Sequence, residues 1–413
     1  MTHPATPLVS ICIPTFNRCR YLASLLESLV GQFAAFPYPY ELVIADNASP
    51  DATREVVQGF ADRLPIRYLR HESNIGGYPN CQFVLAQALG RYLVHLSDDD
   101  SLLGDQVAAT VAKMEADPGI AVVYAPWLLF DLVAQQHQGQ FYSVPHDLRV
   151  ERGHHGELLD HVLRHHIFPE VQITRRDAYQ ATMPRINEHA FLAFMHSADY
   201  LTQGAVLIQQ QPFYVSITRY FADETREQLG SQEVEHAWDR YRGGLEYMIA
   251  RTGMPITAEE RFGYQIRIQQ MIASRMAVAI RLRHENKRSA IDTYYLAMRL
   301  RGLGYEQMLP VPLATLASQA MVEFVIQDPE INRGVRQMIC VGTTARGERD
   351  YLVRQAKVPV EFVPDLRRCE HLSDALLFIR EDAVAAQQLD SAQAARRNVR
   401  VLHERDLAGK FGL

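Results

Sequence analysis

The run YLVHLSDDDSLL, Tyr92 to Leu103, decides how this chain is read. Its first five residues are apolar or aromatic around one histidine, the pattern of a short buried strand. After Ser97 come three consecutive aspartates, Asp98, Asp99 and Asp100. Like charges packed together cost free energy unless something cationic neutralises them. A strand ending in such a cluster therefore points to a cation beside it.

Working outward, the segments before this run alternate in character. LVSICIP (Leu8 to Pro14) is short and β-branched, a buried strand closed by proline. YLASLLESLVGQ (Tyr21 to Gln32) places apolar residues at helical spacing. YELVIAD (Tyr40 to Asp46) reads as a strand. ATREVVQGF reads as a helix, with Ser49 or Asp51 available to cap it. IRYLR (Ile66 to Arg70) is a strand and NCQFVLAQAL (Asn80 to Leu89) a helix. Strand and helix in regular alternation predict an α/β fold, a mostly parallel sheet flanked by helices.

In such sheets ligands lie beyond the carboxyl ends of the strands. The first strand is followed by Pro14, Thr15, Phe16, Asn17 and Arg18. Asp46, Asn47, Ala48 and Ser49 follow the second. Asn74, Ile75, Gly76 and Gly77 follow the third, and the aspartates follow the fourth. Each set alone is ordinary loop chemistry. Four in register suggest convergence on one ligand. Carboxylates at a strand end suit Mg²⁺ or Mn²⁺, which take oxygen ligands and often share them with substrate phosphates. A single aspartate would suffice to favour a helix N-terminus; three favour a site.

The bulk properties exclude several classes. The chain has 413 residues, 47% hydrophobic and 22% charged, with a formal net charge of −6. No basic stripe argues for nucleic acid. The five cysteines, Cys12, Cys19, Cys81, Cys340 and Cys369, show no zinc or disulfide spacing, so reduced thiols in a cytoplasmic protein are expected. MTHPATPLVSICIPTF carries no secretory signature. MLPVPLATLASQAMVEFVI (Met308 to Ile326), the most apolar run, holds two prolines and a glutamate and reads as a packed helix.

Beyond the aspartates, AVVYAPWLLFDLV, EVQITRRDAY and PFYVSITRY read as short strands among helices up to about Tyr220. From Phe221 the chain is mostly helical. From Gly334, RQMICVGTTARGERDYLVRQAKVPVEFVPD reads as strand, tight loop, helix, strand. SDALLFIREDAVAAQQL reads as a helix and NVRVLHE as a last strand. The expected division is 1–220, 221–333 and 334–413, the last a small Rossmann-like α/β appendix. VGTTARG matches neither a dinucleotide fingerprint nor a P-loop and reads as a packing turn. GELLDHVLRHH brings five histidines together, His154, His155, His161, His165 and His166. His161 and His165 would share a helix face, here read as lining the acceptor side.

Taken together, VSICIPTFNR, ELVIADNASPD, ESNIGGYPN and LSDDD resemble family 2 glycosyltransferases, inverting enzymes of the GT-A fold. The resemblance covers about Pro7 to Tyr220. It implies a nucleotide pocket lined by Pro14, Thr15 and Asn17, with Arg18 near the phosphates or base. Asp46 would meet the base, with Asn47, Ser49 and Asp51 shaping its loop. Asn74 and Gly76 would lie along the nucleotide. Asp98 would contact the ribose, Asp100 would bind Mg²⁺ or Mn²⁺ on the diphosphate, and Asp99 would help either. The resemblance also implies a catalytic base in a Glu-Asp pair opening a helix. HSADYLTQ supplies Asp199 for it, with Ala198 where the family has Glu. Arg219, or Arg226 after it, would stand near the diphosphate.

The activity so implied is transfer of a sugar from a nucleoside-diphosphate sugar to a hydroxyl of a glycan, lipid-linked or protein acceptor. Bacterial surface glycan synthesis is its expected setting. Two other classes compete. A sugar nucleotidyltransferase would carry a glycine-rich loop after the first strand, and PTFNR has no glycine. A non-catalytic scaffold would not need Asp46, Asp98, Asp100 and Asp199 intact. Peripheral contact with the inner membrane surface and self-association through the helical region stay open.

Overall fold

The structure, a computed structural model, describes residues 6–182, 189–223, 238–252, 256–344, 346–364, 373–380 and 398–412. These pack as two compact units: Met1–Gln228 with Asp239–Ile268, and Leu229–Trp238 with Gln269–Leu413.

The first unit begins with the expected alternation: β1 (Val9–Thr15), α1 (Cys19–Gln32), β2 (Tyr40–Asp46), α2 (Thr53–Gly59), β3 (Ile66–Arg70), α3 (Gly77–Ala86) and β4 (Tyr92–His95). It continues through β5 (Ser101–Leu102), α4 (Gly104–Ala116), β6 (Ile120–Tyr124), β7 (Trp127–Asp131), β8 (Gln136–Gln140) and β9 (Leu148–Val150). Then come α5 (His155–His165), β10 (Gln172–Arg175), α6 (Arg176–Gln180), α7 (Leu192–Gln203), β11 (Ala205–Ile208), β12 (Tyr214–Arg219) and α8 (Trp238–Ala250).

Eight strands form the main sheet in the order β3-β2-β1-β4-β10-β6-β11-β9. β1 pairs in parallel with both β2 and β4, which is why its residues are nearly continuous hydrophobes, buried on both faces. β10 runs antiparallel to both β4 and β6, so β6 and β11 point the same way as β1. The carboxyl ends of β1, β2, β3, β4, β6 and β11 therefore share one edge. A second sheet, β5-β12-β7-β8, places β12 beside β5, which directly follows the aspartates.

Helices α7 and α8 approach closely. A side chain at Gly243 would put its Cβ 1.9 Å from the His189 carbonyl oxygen, so only glycine fits there. Helix α9 (Ala258–Glu285) begins in the first unit and ends in the second.

The second unit holds α10 (Ala290–Gly302), α11 (Leu313–Gln327), β13 (Gln337–Val341), α12 (Arg346–Gln355), β14 (Val360–Val363), β15 (Ala375–Ile379) and β16 (Arg400–His403). Its parallel sheet has the order β14-β13-β15-β16. One core joins Tyr294 of α10, Met321 and Val325 of α11, Met338 of β13 and Phe378 of β15. The helical stretch from 269 and the α/β appendix are thus one body, whereas the sequence suggested a boundary near 333. The expected helix at SDALLFIREDAVAAQQL is also corrected. Ala375–Ile379 is a fully buried strand, since five consecutive apolar residues fit a central parallel strand as well as a helix. Residues 381–397 lie outside the described set. Among the described residues no helix is long and apolar enough to cross a membrane, and Leu313–Gln327 is packed instead.

Candidate active site at the carboxyl edge of the large sheet

At the centre of the shared edge, β1 and β4 lie side by side, and the residues after them meet. Thr15 Oγ1 donates to Asp98 Oδ2 at 2.7 Å. Arg18 Nη1 donates to Asp98 Oδ1 at 3.1 Å and to Asp99 Oδ2 at 2.8 Å. Arg18 is thus the protein's own cation for two of the three aspartates. Burial chiefly, and then the charge of Asp99, push the Asp98 carboxyl up to about 6, with Arg18 and Thr15 pulling the other way.

Asp100 turns to a different element. Tyr214 Oη donates to its Oδ2 at 2.7 Å and the Ile217 amide to its Oδ1 at 2.9 Å, both from β12. Its carboxyl is also pushed up, by burial and then by Asp99. No cationic side chain is paired with Asp100 among the described contacts.

The loop after β2 is wired to the loop after β3. Asn47 Nδ2 donates to Asn74 Oδ1 at 2.8 Å and to the Gly76 carbonyl at 3.1 Å, while the Ile75 amide donates to Asn47 Oδ1. Gly76 has φ 95°, the left-handed region that suits glycine, and caps α3. Asp46 is 0% exposed. Its carboxylate accepts from the Ser49 amide, Tyr68 Oη and Arg70 Nη1. Asp46 therefore shapes the loop from beneath. The Asn17 amide donates to Ser49 Oγ, and the Cys19 amide to Asp51 Oδ2, tying the first loop to the second. Asn17 and Ala48 have φ of 55° and 64°. Asparagine tolerates that region; alanine there is strained, and such strain gathers at functional loops.

Thr15, Asn17, Arg18, Asp46, Asn47, Asn74, Gly76, Asp98 and Asp99 thus join through hydrogen bonds at one edge, with Pro14 next to Thr15 in β1. Among the described contacts none links Asp199 to that set. It was expected at a helix start and is instead the eighth residue of α7, which opens at Leu192. Helix α7 leads through Gly204 into the amino end of β11, so it runs down from the carboxyl edge. Asp199 lies about two turns along α7, and its charge acts on Tyr124, the last residue of β6. There Tyr247 Oη and Arg251 Nε both meet its Oδ1, at 2.9 and 3.1 Å. Nearby, buried His155 places Nε2 3.0 Å from the Ala198 carbonyl.

Arg219 ends β12, exposed, with Nη2 3.5 Å from the Ala222 carbonyl. Arg226 lies outside the described residues. His161 and His165 share one face of α5, their rings 6.2 Å apart. Sequence reasoning missed Tyr214 and the Ile217 amide, which lie more than a hundred residues from Asp100, and the Tyr68–Arg70 pair beneath Asp46. Only the β3 pair had a readable signal, since a parallel neighbour of β2 is expected to face it.

Among the described residues no three histidine, cysteine, aspartate or glutamate side chains could hold an ion by themselves. The donor set does fit a hard divalent cation that takes its remaining ligands from a phosphate-bearing molecule. Asp100 offers oxygen donors, is short of positive charge, and keeps one of its roughly four lone-pair sites beyond the three used by β12.

The chain is similar to several known proteins. The family model described as Glycosyl transferase family 2 matches residues 10–181. The abequosyltransferase RfbV of Salmonella typhimurium is 35% identical over 115 residues, 27% of this chain and 34% of that protein. Validoxylamine A glucosyltransferase of Streptomyces hygroscopicus subsp. limoneus is 34% identical over 117 residues, 28% of this chain and 26% of that one. The matched stretch thus spans about a quarter to a third of these relatives' own length. The solved structure of S. aureus TarS 1-349 in complex with UDP-GlcNAc aligns with a TM-score of 0.48 and 15% identity, over 77% of this chain and 85% of that one. Residues 10–181 of this chain are a family 2 glycosyltransferase domain.

Proposed function

We propose that this chain, which carries a family 2 glycosyltransferase domain, moves a sugar from a nucleoside-diphosphate sugar to a hydroxyl acceptor with inversion at the anomeric carbon. The observation that carries the reading is the edge where Thr15, Arg18, Asp98 and Asp99 meet, beside the linked Asn47–Asn74–Gly76 loops. Such an edge offers backbone and amide groups to a nucleoside and carboxylates to a ribose or to a cation on the diphosphate.

In this reading the Asn47, Asn74 and Gly76 loops hold the nucleoside, and Asp98, fixed by Thr15 and Arg18, receives the ribose hydroxyls. Asp100 would hold Mg²⁺ or Mn²⁺, which when bound neutralises charge on the departing diphosphate. Arg18 and Arg219 add fixed positive charge for the phosphates. The acceptor hydroxyl gives its proton to a carboxylate, for which we take Asp199 Oδ2, as its oxygen bonds to the anomeric carbon; the bond from that carbon to the diphosphate oxygen breaks, and the nucleoside diphosphate leaves from the opposite face. Asp199 Oδ1, committed to Tyr247 and Arg251, would hold that carboxylate in place. The relatives' names, an abequosyltransferase and a glucosyltransferase, support a sugar-transfer reading, and the acceptor class we favour is a bacterial surface glycan.

Calorimetric titration with UDP, GDP, CDP and dTDP, each with and without Mn²⁺, tests the donor reading. Binding of one nucleotide, strengthened by Mn²⁺, is the expected result. A folded protein that binds none of the four would sink it.

A further inference from the structure

We propose that Tyr214 is a positioning residue for Asp100, so that the metal-dependent part of donor binding is set from β12, in the second sheet. This rests on the donor reading above and deepens it.

The Tyr214 hydroxyl makes two contacts. It donates to Asp100 Oδ2 at 2.7 Å and accepts from the Ser97 amide at 3.3 Å. It thereby bridges both ends of the Ser97–Asp100 turn. The Asp100 amide donates to the Ser97 carbonyl at 3.3 Å, closing the same turn from within. The next residue on the same face of β12, Ser216, also bonds the Asp100 carboxylate, and the Ile217 amide takes the other oxygen at 2.9 Å. Strand β12 thus presents three donors to one carboxylate. Tyr214 is 6% exposed, so no solvent movement blurs its aim.

The two ends of the aspartate run are therefore held by different parts of the unit. Asp98 answers to β1 and the start of α1, and Asp100 to β12. The end of β12 returns to α1 as well: Tyr21 packs 5.3 Å from both Tyr220 and Phe221. That aromatic contact fixes β12 to the helix that begins directly after Arg18. The carboxylate spacing of the site is set by this closed circuit of contacts.

The test uses the full chain with Tyr214→Phe, Asp100→Asn and the double variant. Each is titrated, with and without Mn²⁺, with whichever of UDP, GDP, CDP and dTDP the wild type binds. Tyr214→Phe should weaken binding in Mn²⁺ about tenfold, the scale of one hydrogen bond to a charged group. It should leave metal-free nucleotide binding unchanged. In the Asp100→Asn background it should change nothing further, because the hydroxyl acts only through that carboxylate. If Tyr214→Phe fails to fold by circular dichroism, Ser216→Ala takes its place in the same cycle, with a smaller loss expected. Equal Mn²⁺-dependent affinity in Tyr214→Phe and wild type overturns the proposal, as does the same loss with and without Asp100. A wild type that binds nucleotide with no response to Mn²⁺ overturns it while sparing the donor reading. A wild type that binds no nucleotide overturns both.

Discussion

The Arg18 guanidinium donates to the Asp99 carboxylate across 2.8 Å, and the same nitrogen reaches Asp98 at 3.1 Å. Asp100, the remaining aspartate, faces Tyr214 and β12 instead. The charge at the strand end is therefore partly balanced by the protein itself. Replacing Arg18 by Gln should leave Asp98 and Asp99 facing each other with no cation. We expect a loss of about 1–2 kcal/mol, above an exposed ion pair because Asp98 is buried. We also expect Mn²⁺ to restore more stability to Arg18→Gln than it adds to wild type, since the ion then supplies the missing charge. Urea midpoints with and without Mn²⁺ check both, and equal midpoints for the two proteins would discard the idea.

Asp98 sets a pH dependence of known sign. Its folded pKa of about 6 lies above the ordinary 3.8, so the folded protein holds that proton more tightly than the unfolded chain. Its ionisation weakens the fold above about pH 6, and the penalty fades as pH falls toward 3.8. Two buried histidines act oppositely. Burial pushes His95 and His196 down to about 4 from 6.5, so their contribution is lost as pH drops below 6.5. Asp98→Asn isolates the aspartate. It should be about 1–3 kcal/mol more stable than wild type at pH 8, from roughly two pKa units at 1.36 kcal/mol each. The gap should close near pH 4. A variant less stable than wild type at pH 8 would show that the pairing with Arg18 outweighs the desolvation of the carboxylate.

Much of the edge was legible because its residues are local. Each of the first four strands ends within a few residues of its polar group, and the strand–helix rhythm repeats at readable spacing. The unread parts depend on distance along the chain. Tyr214 meets Asp100 only because β12 pairs with β5, and nothing in the composition of PFYVSITRY marks that hydroxyl. The run ALLFI fits a buried helix or strand equally until its parallel neighbours β13 and β16 are known. The grouping of α10 and α11 with the C-terminal sheet rests on a shared core, which sequence periodicity cannot assign to partners.

Ala48 carries strain that substitution can expose. At φ 64° its Cβ crowds the following carbonyl, at a cost of about 1 kcal/mol. Ala48→Gly removes that crowding but gives the unfolded chain more freedom, so a net gain of roughly 0.5 kcal/mol is expected. Ala48→Val should lose about 2 kcal/mol or more, as a β-branched residue resists this region. Denaturation of both variants checks the order Gly, Ala, Val. A valine variant as stable as wild type would mean that the loop relaxes to another conformation.

In the second unit, Glu323 is 1% exposed and caps α10 from α11. Its Oε2 accepts from the Ala290 and Ile291 amides, and its Oε1 from Gln327 and Tyr351. Glu323→Ala would strand several buried donors, so a loss of about 2–4 kcal/mol is expected. The loss should appear in the melting of the second unit and leave nucleotide binding by the first intact. Hydrogen exchange measured peptide by peptide separates the two. Uniform deprotection of both units would mean that they unfold as one.

Asp199 yields the last prediction, because one of its oxygens is engaged and the other has no partner among the described contacts. A general base needs a free lone pair aimed at the acceptor hydroxyl at the site. Asp199 lies two turns down α7, and its Oδ1 is engaged by Tyr247 and Arg251. These contacts fasten α8 to α7, where Gly243 and Gly244 already bring the helices close. Asp199→Asn should therefore lower stability by about 1–2 kcal/mol, as a half-exposed arginine loses its carboxylate. Donor binding should stay intact, and transfer measured well below the melting temperature should be abolished. Tyr247→Phe should reproduce a part of the stability loss. An Asp199→Asn protein that keeps most of its turnover would remove Asp199 as the base and leave it a brace between α7 and α8.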